Sequence, residues 1–213
     1  MAKKRTSNDR KSRMRTLLRD EIGMKNEIEK VAAKRRALHK GEPVAQDYVF
    51  DDGRRKVKLS QLFERGKNEL IVYHYMFAPK DKKPCPMCTM WCDAYDAVEP
   101  YVRKRANFVL VTKAPIAKLR AWARGRGWKN IRLLSSFGTT FNRDFDAEDK
   151  DENQYPAVSV FTKDKNGTVR HFYQKSALLN SKHWRGIDQL SPVWNLLDLL
   201  PSGRGEWYPN YER

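Results

Sequence analysis

The apolar run at 70–77 contains no charged residue and is rich in residues that favour β-structure. Such a run is typical of a central strand that is covered on both faces. A helix through Val98 and a second strand at 107–112 are predicted to follow. Pro115 suits the first turn of another helix, ending near 125–127, because an opening proline loses no internal hydrogen bond. This alternation of strands and helices indicates a mostly parallel sheet.

Shorter elements are predicted on both sides of this centre. We expect a hairpin at the start of the domain, with arms at 47–50 and 57–59, and a short helix near Leu62. A second hairpin, with a turn at 165–167, is predicted near the other end. The remaining predicted elements are a strand at 131–134, an acidic loop at 144–153, the second hairpin's arms at 157–161 and 169–173, and a closing helix at 190–200.

Apolar residues recur at three- and four-residue steps in the segment 13–38, before this domain. The spacing predicts an amphipathic helix with a basic outer face and one apolar stripe that packs against a body. We expect a disordered basic tail at 1–12, the helix at 13–40, the α/β domain at 41–204 and a C-terminal tail at 205–213. The stripe consists of Met14, Leu17, Leu18, Ile22, Ile28, Val31 and Ala32.

Charge is concentrated in the same N-terminal segment. The chain has 213 residues and a formal net charge of +17, and its length suits one domain with an appendage. Residues 1–40 hold 14 Lys and Arg against 5 Asp and Glu, so they carry +9 of the +17. A solvated helix leaning on the domain explains this excess. An arm that binds nucleic acid or an acidic partner is the alternative, for which Lys and Arg alone are weak evidence.

The sequence also bears on location. No segment approaches the roughly 20 apolar residues that a membrane helix needs, and the N-terminus lacks the apolar stretch of a secretory signal. We therefore expect no membrane association and a cytoplasmic protein. The three cysteines all lie at 85–92, too close together to form the framework of a secreted disulfide-rich domain. Their clustering indicates chemistry or a metal.

Cys85-Pro86-Met87-Cys88 stands at the junction of the buried strand and the following helix. Backbone N–H groups at a helix start stabilise a thiolate and can lower the pKa of a thiol from about 8.5 to below neutrality. We therefore predict that Cys85 is a nucleophile. Cys88, one turn later, is placed to attack a mixed disulfide and release the partner.

Cys92 lies one further turn along the same helix face, where it is either a buried small hydrophobe or a second resolving thiol. Three cysteines with His74 could also form a zinc set, although no second paired motif fixes such a geometry. His74 on a strand is more often a hydrogen-bonded core residue. His74 or His171 could alternatively act as a base or haem ligand, but no haem attachment motif is present. We predict no resident metal or cofactor.

Tyr155-Pro156 directly precedes the predicted strand at 157–161. Proline at the start of a strand marks a turn or a cis bond. In thioredoxin-like folds a cis-proline at this point faces the active-site cysteines. We therefore expect a cis Tyr155–Pro156 bond and a substrate groove formed by Pro86, Tyr155 and Pro156.

Several motifs in order make the chain resemble the bacterial thioredoxin-like proteins of domain-of-unknown-function family 899. The resemblance implies a thioredoxin-like fold, with a mixed central sheet flanked by helices, and a redox association, but it implies no defined substrate. The matching motifs are Arg35-Arg36-Ala37-Leu38, Asp47-Tyr48-Val49-Phe50, the segment 71–77, Cys85-Pro86-x-Cys88, Lys113-Ala114-Pro115, Gly127-Trp128, Ser135-Ser136, Phe141-Asn142-x-Asp144-Phe145, the segment 156–161 and Leu196-Leu197-Asp198-Leu199.

Thr89-x-x-Cys92 resembles the second half of the peroxiredoxin signature, which would make Cys92 peroxidatic. Cys85 stands where that signature has a proline, and this departure weakens the peroxidase interpretation. The sequence therefore favours a thiol-dependent oxidoreductase that acts on a disulfide or peroxide and is regenerated by a cellular reductant. The first alternative is a redox-inactive scaffold whose basic arm binds nucleic acid or an acidic partner. A haem- or metal-dependent enzyme on the same fold is the second.

Overall fold

The computed structural model describes residues 2–180 and 182–212 and divides the chain after His39 into two units. The first unit contains one long helix, α1, over Ala2–Arg36. Residues 2–12, expected to be a disordered tail, are therefore helical; Met1 lies outside the described residues. Alanine, lysine and arginine, which are strong helix formers, are frequent in this stretch, and Asp9 pairs with Arg13 one turn later at 2.9 Å.

The apolar stripe predicted along 13–38 lies on α1. Its large side chains are about half exposed, with 47% for Ile28 and 55% for Met14 and Leu18. The last turn holds three basic residues, 34–36, whose positive charge is favourable at a helix C-terminus. Packing of the stripe against another surface stays a prediction.

A mixed sheet forms the centre of the second unit, and within the described residues it has eight strands in the order β1-β8-β7-β4-β5-β6-β2-β3. Four helices accompany it, with single 3-10 turns at Leu59–Gln61 and Asp188–Leu190. The strands are β1 Glu42–Pro43, β2 Val49–Asp51, β3 Lys56–Lys58, β4 Glu69–Tyr75, β5 Asn107–Thr112, β6 Arg132–Ser135, β7 Ala157–Lys163 and β8 Val169–Ser176. The helices are α2 Pro86–Val102, α3 Ile116–Arg126, α4 Phe141–Asp144 and α5 Pro192–Leu197.

Strand β4 is central, as its apolar run predicts. It pairs in parallel with β5, which pairs in parallel with β6, whereas β7 lies antiparallel on its other side. The predicted hairpins are confirmed: β2 pairs with β3, and β7 with β8. The two-residue strand β1, which pairs with β8, was not predicted because two residues carry no periodic signal. The α/β class with a mixed central sheet is therefore confirmed.

Alternate residues of β4 bury their side chains in two separate apolar cores. Leu70 and Val72 belong to the core that also contains Phe141 and Phe161. Tyr73 and Tyr75 belong to the other core, which contains the buried side of α2 and α3. This alternation follows from the two-residue repeat of a strand. It determines which residues of β4 lie near the cysteines.

None of the helices in the described residues is both long and apolar enough to cross a membrane.

Candidate active site

Cys85 is the N-cap residue of α2, just beyond the carboxyl end of β4. Its backbone N–H donates to the carbonyl of Met76 at 3.1 Å, and its Sγ accepts the N–H of Cys88 at 3.4 Å. Pro86 occupies the first turn, where a proline costs no helical hydrogen bond. The Thr89 hydroxyl donates to the Cys85 carbonyl at 3.0 Å and lies 2.8 Å from the Tyr75 hydroxyl. Hydrogen bonds thus join the start of α2 to Tyr75 at the end of β4 and to Met76, which follows it.

Hydrogen bonds around the sulfur lower the pKa of Cys85 to about 6. The Cys88 thiol is the largest cause, and the backbone N–H groups of Cys88 and Met87 and the Tyr208 hydroxyl act in the same direction. Burial opposes them, because it disfavours the charged form. Since Cys85 remains partly exposed, this environment gives an accessible thiolate near neutral pH.

The other two thiols are protonated. Cys88 is 2% exposed, and its hydrogen bond to Cys85 followed by its burial raises its pKa well above the ordinary value. Cys92 is 0% exposed, and burial raises its pKa in the same direction. The structure therefore brings Cys85 and Cys88 together, while Cys92 lies behind them in the apolar core.

A cavity of about 520 Å³ opens beside Cys85 and Cys88. The wall nearest the cysteines comes from β4, its following loop and α2. The facing wall comes from the residues before β7 and from the C-terminal segment 184–208, whose four aromatic members, Trp184, Trp194, Trp207 and Tyr208, we call the aromatic wall. The lining residues other than the two cysteines are Tyr73, Met76, Met87, Trp91, Gln154, Tyr155, Pro156, Ala177, Trp184, Arg185, Ile187, Asp188, Trp194, Arg204, Trp207 and Tyr208.

Arg204 stabilises the aromatic wall through two carboxylates and the Trp194 ring. Its guanidinium donates to Asp188 at 2.7 Å and to Asp198 at 2.5 Å. It also lies over the Trp194 ring, 4.6 Å from the centroid. Arg185 donates to the same Asp188 carboxylate at 2.7 Å. These pairs hold the 3-10 turn at Asp188–Leu190, helix α5 and the C-terminal residues in one arrangement.

The residues predicted as a C-terminal tail are part of the site over 205–212; Arg213 lies outside the described residues. Tyr208 lines the cavity, and its hydroxyl contributes to the lowered pKa of Cys85. The Tyr211 hydroxyl donates to the carbonyl of Pro84, and its ring meets Trp122 edge-on at 5.2 Å. Apolar contacts of these aromatic rings, together with a hydrogen bond from Arg126 to the Tyr211 carbonyl, explain why the segment packs on the domain.

Tyr155 and Pro156 line the cavity, as predicted, but the peptide bond between them is trans, so the expected cis bond is wrong. The Tyr155 N–H donates to the Ala147 carbonyl at 2.9 Å, and the Pro156 carbonyl accepts from Ala177 at 3.2 Å. The chain therefore enters β7 with both flanking groups paired, and trans is the intrinsically preferred isomer. Pro86 belongs to the start of α2 and does not line the cavity.

His74 lies on the opposite face of β4 from Tyr73 and Tyr75. Its Nε2 is 2.8 Å from the Ser159 hydroxyl, its ring stacks on Phe141 at 5.5 Å, and burial lowers its pKa to about 3. His171 packs in the same core against Phe145, and burial lowers its pKa as well. The structure therefore does not bring either histidine to the cysteines. Across 2–180 and 182–212, no group of three or more His, Cys, Asp or Glu is arranged to hold a metal.

Sequence reasoning missed the aromatic wall. Trp184 lies in no predicted element, Trp207 and Tyr208 fall in the predicted tail, and Trp194 gave no indication beyond the predicted closing helix. The two aromatic residues of the predicted tail were the available indication, because large aromatic side chains seldom lie in a disordered segment.

The fold is shared with peroxiredoxins of known structure. PrxQ from Xylella fastidiosa, a cysteine-to-serine mutant, matches with a TM-score of 0.52 at 15% identity, over 72% of this chain and 93% of that chain. Peroxiredoxin Q from Xanthomonas campestris, also a cysteine-to-serine mutant, matches with a TM-score of 0.50 at 17% identity, over 65% and 87% of the two chains. Identities this low show the fold alone, which is thioredoxin-like.

No curated protein matches the sequence. The sequence profile of a family described as bacterial protein of unknown function, DUF899, matches residues 2–213. This match spans the basic helix and the α/β domain and confirms the resemblance read from the motifs. The chain therefore belongs to the DUF899 family of bacterial proteins.

Proposed function

We propose that this chain is a thiol–disulfide oxidoreductase with Cys85 as nucleophile and Cys88 as resolving thiol. The environment of the Cys85 sulfur carries the proposal. With a pKa of about 6, Cys85 is roughly nine-tenths thiolate at pH 7, whereas an unperturbed cysteine is only roughly 3% thiolate. The thiolate is the nucleophile in disulfide exchange, and this one borders a cavity of about 520 Å³.

The reaction would proceed in two displacements. The Cys85 thiolate attacks one sulfur of the substrate disulfide, so that a mixed disulfide forms, the substrate S–S bond breaks and the other substrate sulfur leaves as a thiolate. Cys88 then loses its proton, attacks the Cys85 sulfur and displaces the second substrate sulfur. The products are the reduced substrate and a Cys85–Cys88 disulfide. A cellular dithiol or two monothiols return both cysteines to thiols, as expected in a reducing cytoplasm.

Neighbouring residues support these steps through position. Pro86 fixes the first turn of α2, so that the N–H groups after it point at the Cys85 sulfur. Tyr155 and Pro156 line the cavity on its other side, where we expect a substrate disulfide to lie. The Cys88 thiol favours the Cys85 thiolate before the first step, and Cys88, whose backbone N–H lies 3.4 Å from the Cys85 sulfur, is already adjacent for the second.

A peroxide is the other substrate class that a thiolate attacks, giving a sulfenic acid that Cys88 would condense with, releasing water. We favour the disulfide because the resolving residue already lies against the nucleophile in the reduced protein, with the Cys88 N–H 3.4 Å from the Cys85 sulfur. Cys92, which the partial peroxiredoxin signature would make peroxidatic, is 0% exposed and has a raised pKa. Oxidation rates of reduced protein with hydrogen peroxide and with a disulfide compare the two classes directly.

Redox titration with mass-spectrometric mapping of the cysteines tests the proposal. We expect a reversible Cys85–Cys88 disulfide and turnover with a model disulfide in the presence of a thiol reductant. Cys85→Ser should abolish turnover, and Cys88→Ser should trap a mixed disulfide on Cys85. Cys92→Ser is the matched control and should retain turnover. The proposal fails if oxidised protein keeps both thiols free, or if Cys85→Ser turns over normally.

A further inference from the structure

The walls of the cavity beside Cys85 are aromatic to an unusual degree for a site that would receive a protein disulfide. Trp91, Trp184, Trp194, Trp207 and Tyr208 all line it. Its volume of about 520 Å³ lies within the range of roughly 300–1,000 Å³ typical of small-molecule sites. We infer that the substrate is a low-molecular-mass, uncharged disulfide that carries an aromatic group. This inference rests on the proposed function and names its substrate class.

Closure by the C-terminal segment favours a small molecule over a polypeptide. The segment is held by the contacts of Arg204 with Asp188 and Asp198 and by the Tyr211 hydrogen bond to Pro84, which directly precedes Cys85. A polypeptide disulfide needs an open groove along which its backbone can lie. The C-terminal segment instead forms one wall of the cavity immediately beside the nucleophile.

The charges at the cavity cancel. Arg185 and Arg204 both line it, but their guanidiniums are bonded to Asp188 and Asp198. Apart from the two cysteines and the neutral amide of Gln154, the remaining wall is aromatic or aliphatic, so a charged substrate would lose its hydration without gaining a free counter-ion. An uncharged aromatic disulfide stacks on the rings instead, and its aromatic thiolate is a good leaving group because its conjugate thiol has a low pKa.

Rate constants with two uncharged probes test the inference. Reduced protein is mixed with dipyridyl disulfide and, separately, with hydroxyethyl disulfide, and each rate is divided by the rate of glutathione with the same probe at the same pH. This division removes the intrinsic reactivity of each probe. We expect a normalised preference of roughly tenfold or more for the aromatic probe. Stacking on one or two rings contributes about 1.4 kcal/mol, which corresponds to a factor of ten in rate.

Two variants probe the wall without emptying the core. Trp184 and Trp207 are 63% and 50% exposed, so each should tolerate alanine, and each change should reduce the normalised aromatic preference several-fold. Tyr101→Ala is the matched control, because Tyr101 is an aromatic residue 71% exposed near the other end of α2, and it should leave the preference unchanged.

The outcomes separate the two proposals. If Cys85 reacts with neither probe, the proposed function fails. If Cys85 reacts with both probes but the normalised preference is absent, or equal in the tryptophan variants, the proposed function stands and the substrate class is wrong. Faster reduction of the disulfides of insulin than of dipyridyl disulfide, after the same normalisation, would likewise identify a protein substrate and overturn the inference.

Discussion

Replacing Cys88 by alanine or serine separates its two proposed roles, hydrogen-bond donor to Cys85 and resolving thiol. Alanine removes both roles, whereas serine keeps a donor of similar size and removes only the second. The Cys88 thiol is the largest cause of the low Cys85 pKa, and the Tyr208 hydroxyl contributes less. We therefore expect the Cys85 pKa to rise most in Cys88→Ala, less in Tyr208→Phe and least in Cys88→Ser.

The magnitude follows from the pKa of about 6. An unperturbed cysteine titrates near 8.5, and one pH unit corresponds to about 1.36 kcal/mol, so the site favours the thiolate by about 3 kcal/mol. A hydrogen bond to a charged group contributes roughly 1.5–3 kcal/mol, and a thiol is a weak donor, so the lower figure applies. Cys88→Ala should thus raise the Cys85 pKa by roughly one pH unit. The backbone N–H groups remain and keep it below 8.5.

The assay is the rate of alkylation by iodoacetamide between pH 4.5 and 9, with the site of modification identified by mass spectrometry. Only the thiolate reacts, so the rate falls as the pH falls through the pKa of Cys85. Buried Cys92 should stay unmodified throughout. An identical midpoint in Cys88→Ala and the unaltered protein would show that the backbone alone sets the pKa, and a midpoint near 8.5 in all proteins would refute the account.

Three further outcomes follow from the structure. Because the pKa of Cys85 is depressed in the folded state, the ionised thiolate stabilises the folded reduced protein fully above about pH 8.5, and this contribution is lost as the pH falls through about 6. The difference in melting temperature between the unaltered protein and Cys85→Ala should therefore shrink as the pH falls over that window. A constant difference would contradict this. Glu148→Gln should lower the free energy of unfolding, measured in urea, by roughly 3 kcal/mol, since it leaves the largely buried Lys113 ammonium, 3.1 Å away, without its carboxylate. A decrease of less than about 1 kcal/mol would show that the pair is effectively solvated. Arg204→Ala should loosen the aromatic wall, increase quenching of tryptophan fluorescence by acrylamide and leave the Cys85–Cys88 disulfide able to form; unchanged quenching would mean that Arg204 does not hold the wall.

Much of the fold could be predicted because it depends on local patterns. The run at 70–77 predicted a strand covered on both faces, and it contains the central strand β4 over Glu69–Tyr75. The position of Cys85-Pro86-Met87-Cys88 after this run predicted that the cysteines lie at a helix start, where backbone N–H groups have no partner within the helix. Pro115 predicted the start of α3, because proline has no N–H to donate and is favoured in the first turn of a helix. The predicted end near 125–127 agrees with the C-cap at Gly127, whose positive φ of 73° glycine permits.

Features made by distant segments could not be read from the chain. The period of two along β4 separates His74 from Tyr73 and Tyr75, but only packing decides that α2 covers the tyrosine face, leaving His74 remote from the cysteines. The Tyr155–Pro156 bond is trans, and the groups that flank it pair with Ala147 and Ala177, contacts that no local pattern predicts.

The sequence by itself determined a mixed α/β domain, a basic N-terminal helix and a pair of cysteines at a strand–helix junction, because each depends on residues within a few positions of one another. The tertiary structure alone decided that residues from the segment 184–208 line the cavity and that the Tyr208 hydroxyl lowers the pKa of Cys85. Those contacts join positions more than a hundred residues apart in the sequence, and no periodicity records them. The free energy that holds them comes from burial of aromatic rings and from the carboxylate pairs of Arg204, which exist only after the sheet has formed.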